Sequence, residues 1–237
     1  MKMRLEDSVV EAASLPFAAN RFLFHYARGK MRFDPVYPVL ASLLRARESE
    51  RECLLDLGCG AGVFASYLRA SGIYSPIRGV DLDAGKIGFA QQHVAAAWPK
   101  LYFETGDLFD FELSSGDIVA LDVLHYFNDS RQNALLRRLA RTLAPGCILY
   151  IRNGIRDSGW RHWITSLEEG FVRTTRWIRG GDWNFPSGAD IDRILRSEGL
   201  AVVAVPMWGK TPFSSYLFVA ARPSGKLKAL VQTSTLS

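Results

Sequence analysis

The sequence is poor in cysteine and has no long apolar run, and both shortages narrow what it can be. Its three cysteines, Cys53, Cys59 and Cys147, form no C-x-x-C pair. That excludes a structural zinc site of the usual spacing and a disulfide framework, so no metal is expected. No stretch is long and apolar enough to cross a bilayer, and the N-terminal Met-Lys-Met-Arg-Leu-Glu-Asp lacks the apolar core of a signal peptide. A cytoplasmic location without a membrane span is the resulting expectation. There is no internal repeat. Acidic residues are in deficit, 24 Asp and Glu against 29 Lys and Arg, for a formal charge of +5. This balance suits an anionic or carrier-bound partner, and it equally describes a solvated basic surface. With 237 residues, of which 48% are hydrophobic, the chain can bury one large α/β core.

What is present is organised around residues 53–65, Cys-Leu-Leu-Asp-Leu-Gly-Cys-Gly-Ala-Gly-Val-Phe-Ala. An apolar run reads as a buried strand, Gly58, Gly60 and Gly62 as a turn free of Cβ atoms, and 61–72 as a helix. Such a unit brings backbone and a helix start close to a nucleotide-like ligand. Gly60-Ala-Gly62-Val-Phe-Ala65 fits the relaxed dinucleotide pattern, which would imply a nicotinamide-dependent oxidoreductase. Asp56, two residues before the first glycine, opposes that reading, because a carboxylate there repels a pyrophosphate and attracts a cation.

Downstream, strand and helix alternate, with strands expected near 53–57, 77–82, 101–105, 117–122 and 147–152 and helices near 61–72, 84–97 and 130–143. The helix before the fifth strand stops at Leu143-Ala-Pro145-Gly146. Asp56, Asp81, Asp107 and Asp122 all fall at expected strand ends, on the edge where open α/β sheets bind ligands. A helix at 187–197 and strands at 200–205 and 216–221 complete the pattern. The connection between those two strands is too short for a helical crossover, so they should pair antiparallel.

Asp56-Leu-Gly58-Cys59-Gly60-Ala-Gly62 resembles the first motif of class I S-adenosylmethionine-dependent methyltransferases, whose ligand is cationic and carries no phosphate. Ile77-Arg-Gly-Val-Asp81-Leu82-Asp83 is similar to their second motif, Leu101–Leu108 to the third and Asp117–Tyr126 to the fourth, in the expected order over about residues 50–155. The resemblance implies a Rossmann-like three-layer α/β sandwich with a mostly parallel seven-stranded sheet whose last strand is antiparallel. It implies S-adenosylmethionine as cofactor, with Asp81 and Leu82 at the ribose, Asp107 and Leu108 at the adenine, and Asp56, Asp122 and the glycine turn at the methionine end. A carboxylate accepts two hydroxyl hydrogen bonds, which gives Asp81 its chemical reason.

The resemblance also divides the chain into an N-terminal helical cap (1–48), a methyltransferase domain (49–222) and a flexible tail (223–237), with an insertion at 153–187 as a substrate lid. Within the cap, helices are expected from Phe17 to Arg28 and from Val36 to Arg47. The insertion interleaves Trp160, Trp163 and Trp183 with Arg152, Arg156 and Arg161, a composition suited to an aromatic or acyl acceptor bearing an anion. Single-stranded nucleic acid binders share that composition, but no RNA-binding module accompanies it. The fourth motif also lacks the Asn-Pro-Pro-Tyr of many nucleic-acid methyltransferases, which favours a small molecule over RNA or protein. The expected reaction is methyl transfer to a small-molecule or lipid-like acceptor, oxygen rather than nitrogen or carbon. His125 is the expected base, and His25, Tyr26, Tyr126, Trp160 and Trp183 are the expected acceptor contacts. A methyltransferase-like fold acting only as a binding subunit is the remaining alternative.

Overall fold

The computed structural model describes residues 5–48, 52–113, 116–156, 183–208 and 214–223. Seven strands form one sheet: β1 (Leu54–Leu57), β2 (Ile77–Asp81), β3 (Leu101–Thr105), β4 (Asp117–Leu121), β5 (Ile148–Gly154), β6 (Ala201–Pro206) and β7 (Ser215–Ala221). Their spatial order is β3-β2-β1-β4-β5-β7-β6. β1 runs parallel to both β2 and β4, whereas β7 lies antiparallel to β6, as the short connection predicts, and to β5, as the resemblance implies. Successive strand residues point to opposite faces. Leu54, Ile77, Val119 and Tyr150 belong to one apolar core, while Leu55, Val80, Ile118 and Leu149 belong to the other.

The second core is closed by α7 (Asp129–Thr142) and α8 (Gly188–Ser197), whose apolar stripes supply Leu135, Leu139, Ile191 and Ile194. The first is closed by α4 (Val63–Ala70) and three N-terminal helices, α1 (Leu5–Ser14), α2 (Arg21–Phe33) and α3 (Val36–Arg45). These helices share the core of the sheet. Ser66 donates its hydroxyl to the Ala13 carbonyl at 2.8 Å and receives the Trp98 indole N–H at 2.9 Å, so small residues let α1 lie close against α4. Tyr37 of α3 meets Phe64 and Tyr67 of α4 edge-on.

The N-terminal elements depart from the sequence expectation. Residues 5–14, too mixed to place by pattern, form α1, and the helix expected from Phe17 begins at Arg21 instead. The cause is Asn20, which stays extended and accepts the Leu23 N–H on its side chain at 3.0 Å, so the chain breaks after a short 3₁₀ turn at Leu15–Phe17. The expected helix at 84–97 is a composite: α5 (Ala84–Phe89), a π turn (Ala90–Val94) and α6 (Ala95–Ala97). No described helix is long and apolar enough to cross a membrane.

At the edge of the sheet opposite the glycine turn, Arg69 is 1% exposed and donates to four carbonyls, those of Ile73, Pro99, Ser75 and Lys100, at 2.6–2.9 Å. It ties the loop after α4 to the loop before β3. Arg69→Met keeps the apolar stem but strips all four acceptors, and a loss of about 3 kcal/mol or more is expected from urea denaturation. A loss below about 1 kcal/mol would show that water replaces the guanidinium.

Candidate active site

The sheet order reverses between β1 and β4, because β1 continues to β2 on one side while β4 and β5 lie on the other. Beyond the carboxyl ends of these strands a cavity of about 980 Å³ opens, large enough for a nucleoside-sized ligand and a small second molecule. Its floor is the glycine turn. Gly58, Gly60 and Gly62 have φ of 71°, 54° and 80°, left-handed values that side chains other than glycine adopt at a cost. A Cβ on Gly58 would lie 2.5 Å from Val123 Cγ2, so the turn also needs glycine to pass the segment after β4. A Cβ on Gly60 would meet nothing nearer than Lys86 Cδ at 3.9 Å and would occupy free space beside the turn.

Asp81 fixes this turn. One carboxylate oxygen accepts the Gly60 N–H and the other the Asp83 N–H, both at 2.9 Å, and its carboxylate remains part of the cavity wall. Asp83 caps α5 through the Gly85 and Lys86 N–H groups. Leu82, 72% exposed, and Leu108, buried, present apolar surface to the same space. Asp107 accepts the Phe109 N–H at 3.0 Å within its own turn and stands 3.7 Å from Arg131, whose guanidinium lies over the Phe109 ring. Asp56 differs from these. It is 2% exposed, and its Oδ2 has no hydrogen-bond partner among the described residues. Burial, with a smaller contribution from the Asp81 carboxylate, pushes it up to about 7.

The far end of the cavity is held by ion pairs. Asp122 adopts φ 56°, unusual for a residue with a side chain. Its carboxylate joins Lys30 of α2 at 3.0 Å and Arg152 of β5, and Arg152 also reaches Asp34 at 3.0 Å. Burial opposes charge on Asp122, but Arg152 and Lys30 outweigh it and hold the carboxyl well below the usual range. Burial likewise opposes charge on Lys30, and Tyr26, Asp122 and Tyr37 overcome it, leaving its ammonium raised well above the ordinary value. Tyr26, one helical turn from Lys30, and Tyr126 complete the wall, both half-exposed.

Of the residues expected at the site, Asp56, Gly58, Cys59, Gly60, Asp81, Leu82, Asp107, Leu108, Asp122, Tyr26 and Tyr126 line this one cavity, and Gly62 heads α4 directly behind the turn. His125, His25 and Trp183 do not line it. His125 is turned inward against Trp183 and Phe185, with ring centroids at 5.2 and 5.6 Å. Its Nδ1 is buried without a partner, and burial lowers its pKa to about 4. His125 therefore packs behind Tyr126, at a ring-centroid distance of 4.3 Å, without itself lining the cavity. His25 is exposed on α2 beside Phe24, away from the cavity. Trp160 and most of the expected lid lie outside the described residues. Arg152, read in sequence with the lid arginines, is instead a buried member of β5. Lys30 escaped the sequence reading; its one local signal is the four-residue spacing from Tyr26 on an amphipathic helix. Among the described residues no cluster of His, Cys, Asp and Glu is arranged to hold a metal ion.

A family model described as a methyltransferase domain matches residues 24–205. The chain belongs to the class I S-adenosylmethionine-dependent methyltransferases. A dTDP-4-amino-2,3,4,6-tetradeoxy-D-glucose N,N-dimethyltransferase of Saccharopolyspora spinosa is 29% identical over 157 residues, 62% of this chain and 59% of that protein. An uncharacterised protein of a Synechococcus strain is 33% identical over 112 residues, 45% of this chain and 26% of its own length. The chain thus spans 59% of the first relative's length and 26% of the second's, less than two thirds of either. Among solved structures, the magnesium protoporphyrin IX methyltransferase of Synechocystis PCC 6803 with bound SAH superposes with a TM-score of 0.65 at 19% identity, covering 92% of this chain and 98% of that one. Human N-acetylserotonin methyltransferase with SAM gives 0.58 at 18% identity, covering 93% and 58%. At such identities these likenesses establish the methyltransferase fold, and the cofactor of the family is S-adenosylmethionine.

The buried carboxyl of this methyltransferase sets a pH dependence. Because the folded value of Asp56 lies above its unfolded value, its contribution to stability is fully present below about pH 4 and is lost as pH rises through about 7. Asp56→Asn should therefore gain stability relative to the parent chain between pH 5 and pH 8, by about 3 kcal/mol in ligand-free urea melts. A difference that stays constant with pH would show that Asp56 is ionised throughout.

Proposed function

We propose that this chain transfers a methyl group from S-adenosylmethionine to a small-molecule acceptor. The observation that carries this reading is the pairing, in one cavity, of the glycine turn held by Asp81 with the buried, unpartnered oxygen of Asp56. A buried carboxyl without a partner costs stability unless a ligand completes it, and the ligand that suits it is a cation. The residues fit the cofactor. Asp81 would take the ribose hydroxyls, Leu82 and Leu108 would flank the adenine near Asp107, and Asp56 with the turn would face the α-ammonium. When bound, the cofactor supplies an electrophilic methyl group on a sulfonium, with a neutral thioether as leaving group.

What the chain adds is placement. Holding a nucleophile in line with a methyl group contributes up to roughly 7 to 11 kcal/mol in favourable cases, without a covalent enzyme intermediate. The volume and half-exposed tyrosines favour a small acceptor, which agrees with the small-molecule methyltransferases among the similar proteins.

Isothermal titration with S-adenosylmethionine, S-adenosylhomocysteine and NADH tests the reading. Micromolar binding of both adenosyl ligands and none of NADH is expected. Asp81→Ala should weaken both by about tenfold or more, because it removes the ribose acceptor and frees the Gly60 N–H. Binding of NADH alone would return the chain to the oxidoreductase reading.

A further inference from the structure

The acceptor end of the cavity offers a fixed donor and, among the described residues that line it there, no free carboxylate or imidazole. Both oxygens of Asp122 are engaged, one by Lys30 and one by Arg152. His125 does not line the cavity. Lys30, by contrast, has three N–H donors, lines the cavity, and spends one of them on Asp122 at 3.0 Å. Lys30 and Arg152 balance Asp122 and Asp34, so what Lys30 offers a ligand is its remaining N–H donors. Beside it the walls are flat. Tyr26 stacks on Phe22 with ring centroids 6.4 Å apart and planes 11° apart, and Tyr126 stands 46% exposed after β4. An exposed, ordered aromatic surface at a cavity mouth is contact area awaiting a partner.

Resting on the methyltransferase reading, we propose that the acceptor is a planar molecule whose nucleophile is an already ionised oxygen, a carboxylate or an acidic phenolate, oriented by Lys30 against Tyr26 and Tyr126. The step balances without a base. The acceptor oxygen forms the new C–O bond with its own electron pair, and the C–S bond breaks with its pair left on sulfur. The negative and positive charges cancel, and no proton moves. Tyr126 fits the role of wall rather than base, since burial, aided by Tyr26 and Asp122, raises its hydroxyl to about 12.

The test is calorimetric titration of the full chain saturated with S-adenosylhomocysteine, using three probes: cinnamate (planar anion), cinnamamide (planar, neutral) and cyclohexanecarboxylate (anion, not planar). Cinnamate should bind about tenfold or more tighter than either of the others. In Lys30→Met its advantage over cinnamamide should fall below about threefold, with S-adenosylhomocysteine affinity unchanged within about threefold. In Tyr26→Leu, a half-exposed position whose loss does not threaten folding, the advantage over cyclohexanecarboxylate should fall instead. Equal binding of cinnamate and cinnamamide by the parent chain overturns the proposal, even if Lys30→Met fails to fold. So does a loss of about tenfold in S-adenosylhomocysteine affinity in Lys30→Met, which would assign the ammonium to the cofactor's own carboxylate. Failure of the parent chain to bind S-adenosylhomocysteine would overturn the methyltransferase reading itself.

Discussion

A carboxyl group buried without a partner is expensive, and the region around Asp56 is built so that the expense is borne at one place. β1 carries Asp56 into the core beside the turn, and the turn reverses within five residues because three of them are glycines. Gly58 then passes Val123 at a distance no side chain tolerates, which fixes β1 against the segment after β4. Asp81 crosses from β2 to hold Gly60. Move Asp56 and each of these contacts must shift. The protein therefore keeps, between β1, β2 and β4, an acidic recess that neither packing nor hydrogen bonding completes.

The opposite end of the cavity follows the reverse logic. There every buried charge is answered: Asp34 by Arg152, and Asp122 by Arg152 and Lys30. Losing one member would strand another, a penalty of about 3–5 kcal/mol for a buried pair, so the arrangement resists change. Its consequence for function is rigidity. α2 is pinned to the strand end at Asp122 through Lys30, which sets Tyr26 at the cavity mouth and keeps the wall in register with the sheet. One end of the cavity thus holds a carboxyl oxygen without a partner among the described residues, and the other a balanced set of charges.

Much of this was legible in the sequence where the cause is local. The glycine turn, the strand ends at Asp81 and Asp107, and the Leu143-Ala-Pro145-Gly146 stop all depend on neighbours a few residues away, and the structure has them where the pattern put them. The antiparallel pairing of β6 and β7 followed from loop length, and the place of β7 in the sheet from the family resemblance. What escaped the sequence depends on distant partners. The Lys30–Asp122 pair joins residues 92 apart, and Arg152 looks like one more arginine of a basic stretch until β5 buries it. His125 occupies the position after β4 that motif spacing assigns to the site, yet it does not line the cavity and packs against Trp183 and Phe185, which lie far along the chain. α1 was unreadable for a related reason: its helix is stabilised by Ala13 and Val10 packing on α4, not by a strong pattern of its own.

The central claim is that Asp56, about half protonated at neutral pH, waits for a cation. The most direct measurement is the calorimetric binding enthalpy of S-adenosylmethionine at pH 6.5 in two buffers of different ionisation enthalpy, which counts the protons exchanged. With Asp56 titrating near 7, binding should release roughly three quarters of a proton, and Asp56→Asn should release almost none. Tight binding with no proton release by the parent chain would contradict the account, because the carboxyl would then be either ionised before the ligand arrives or untouched by it.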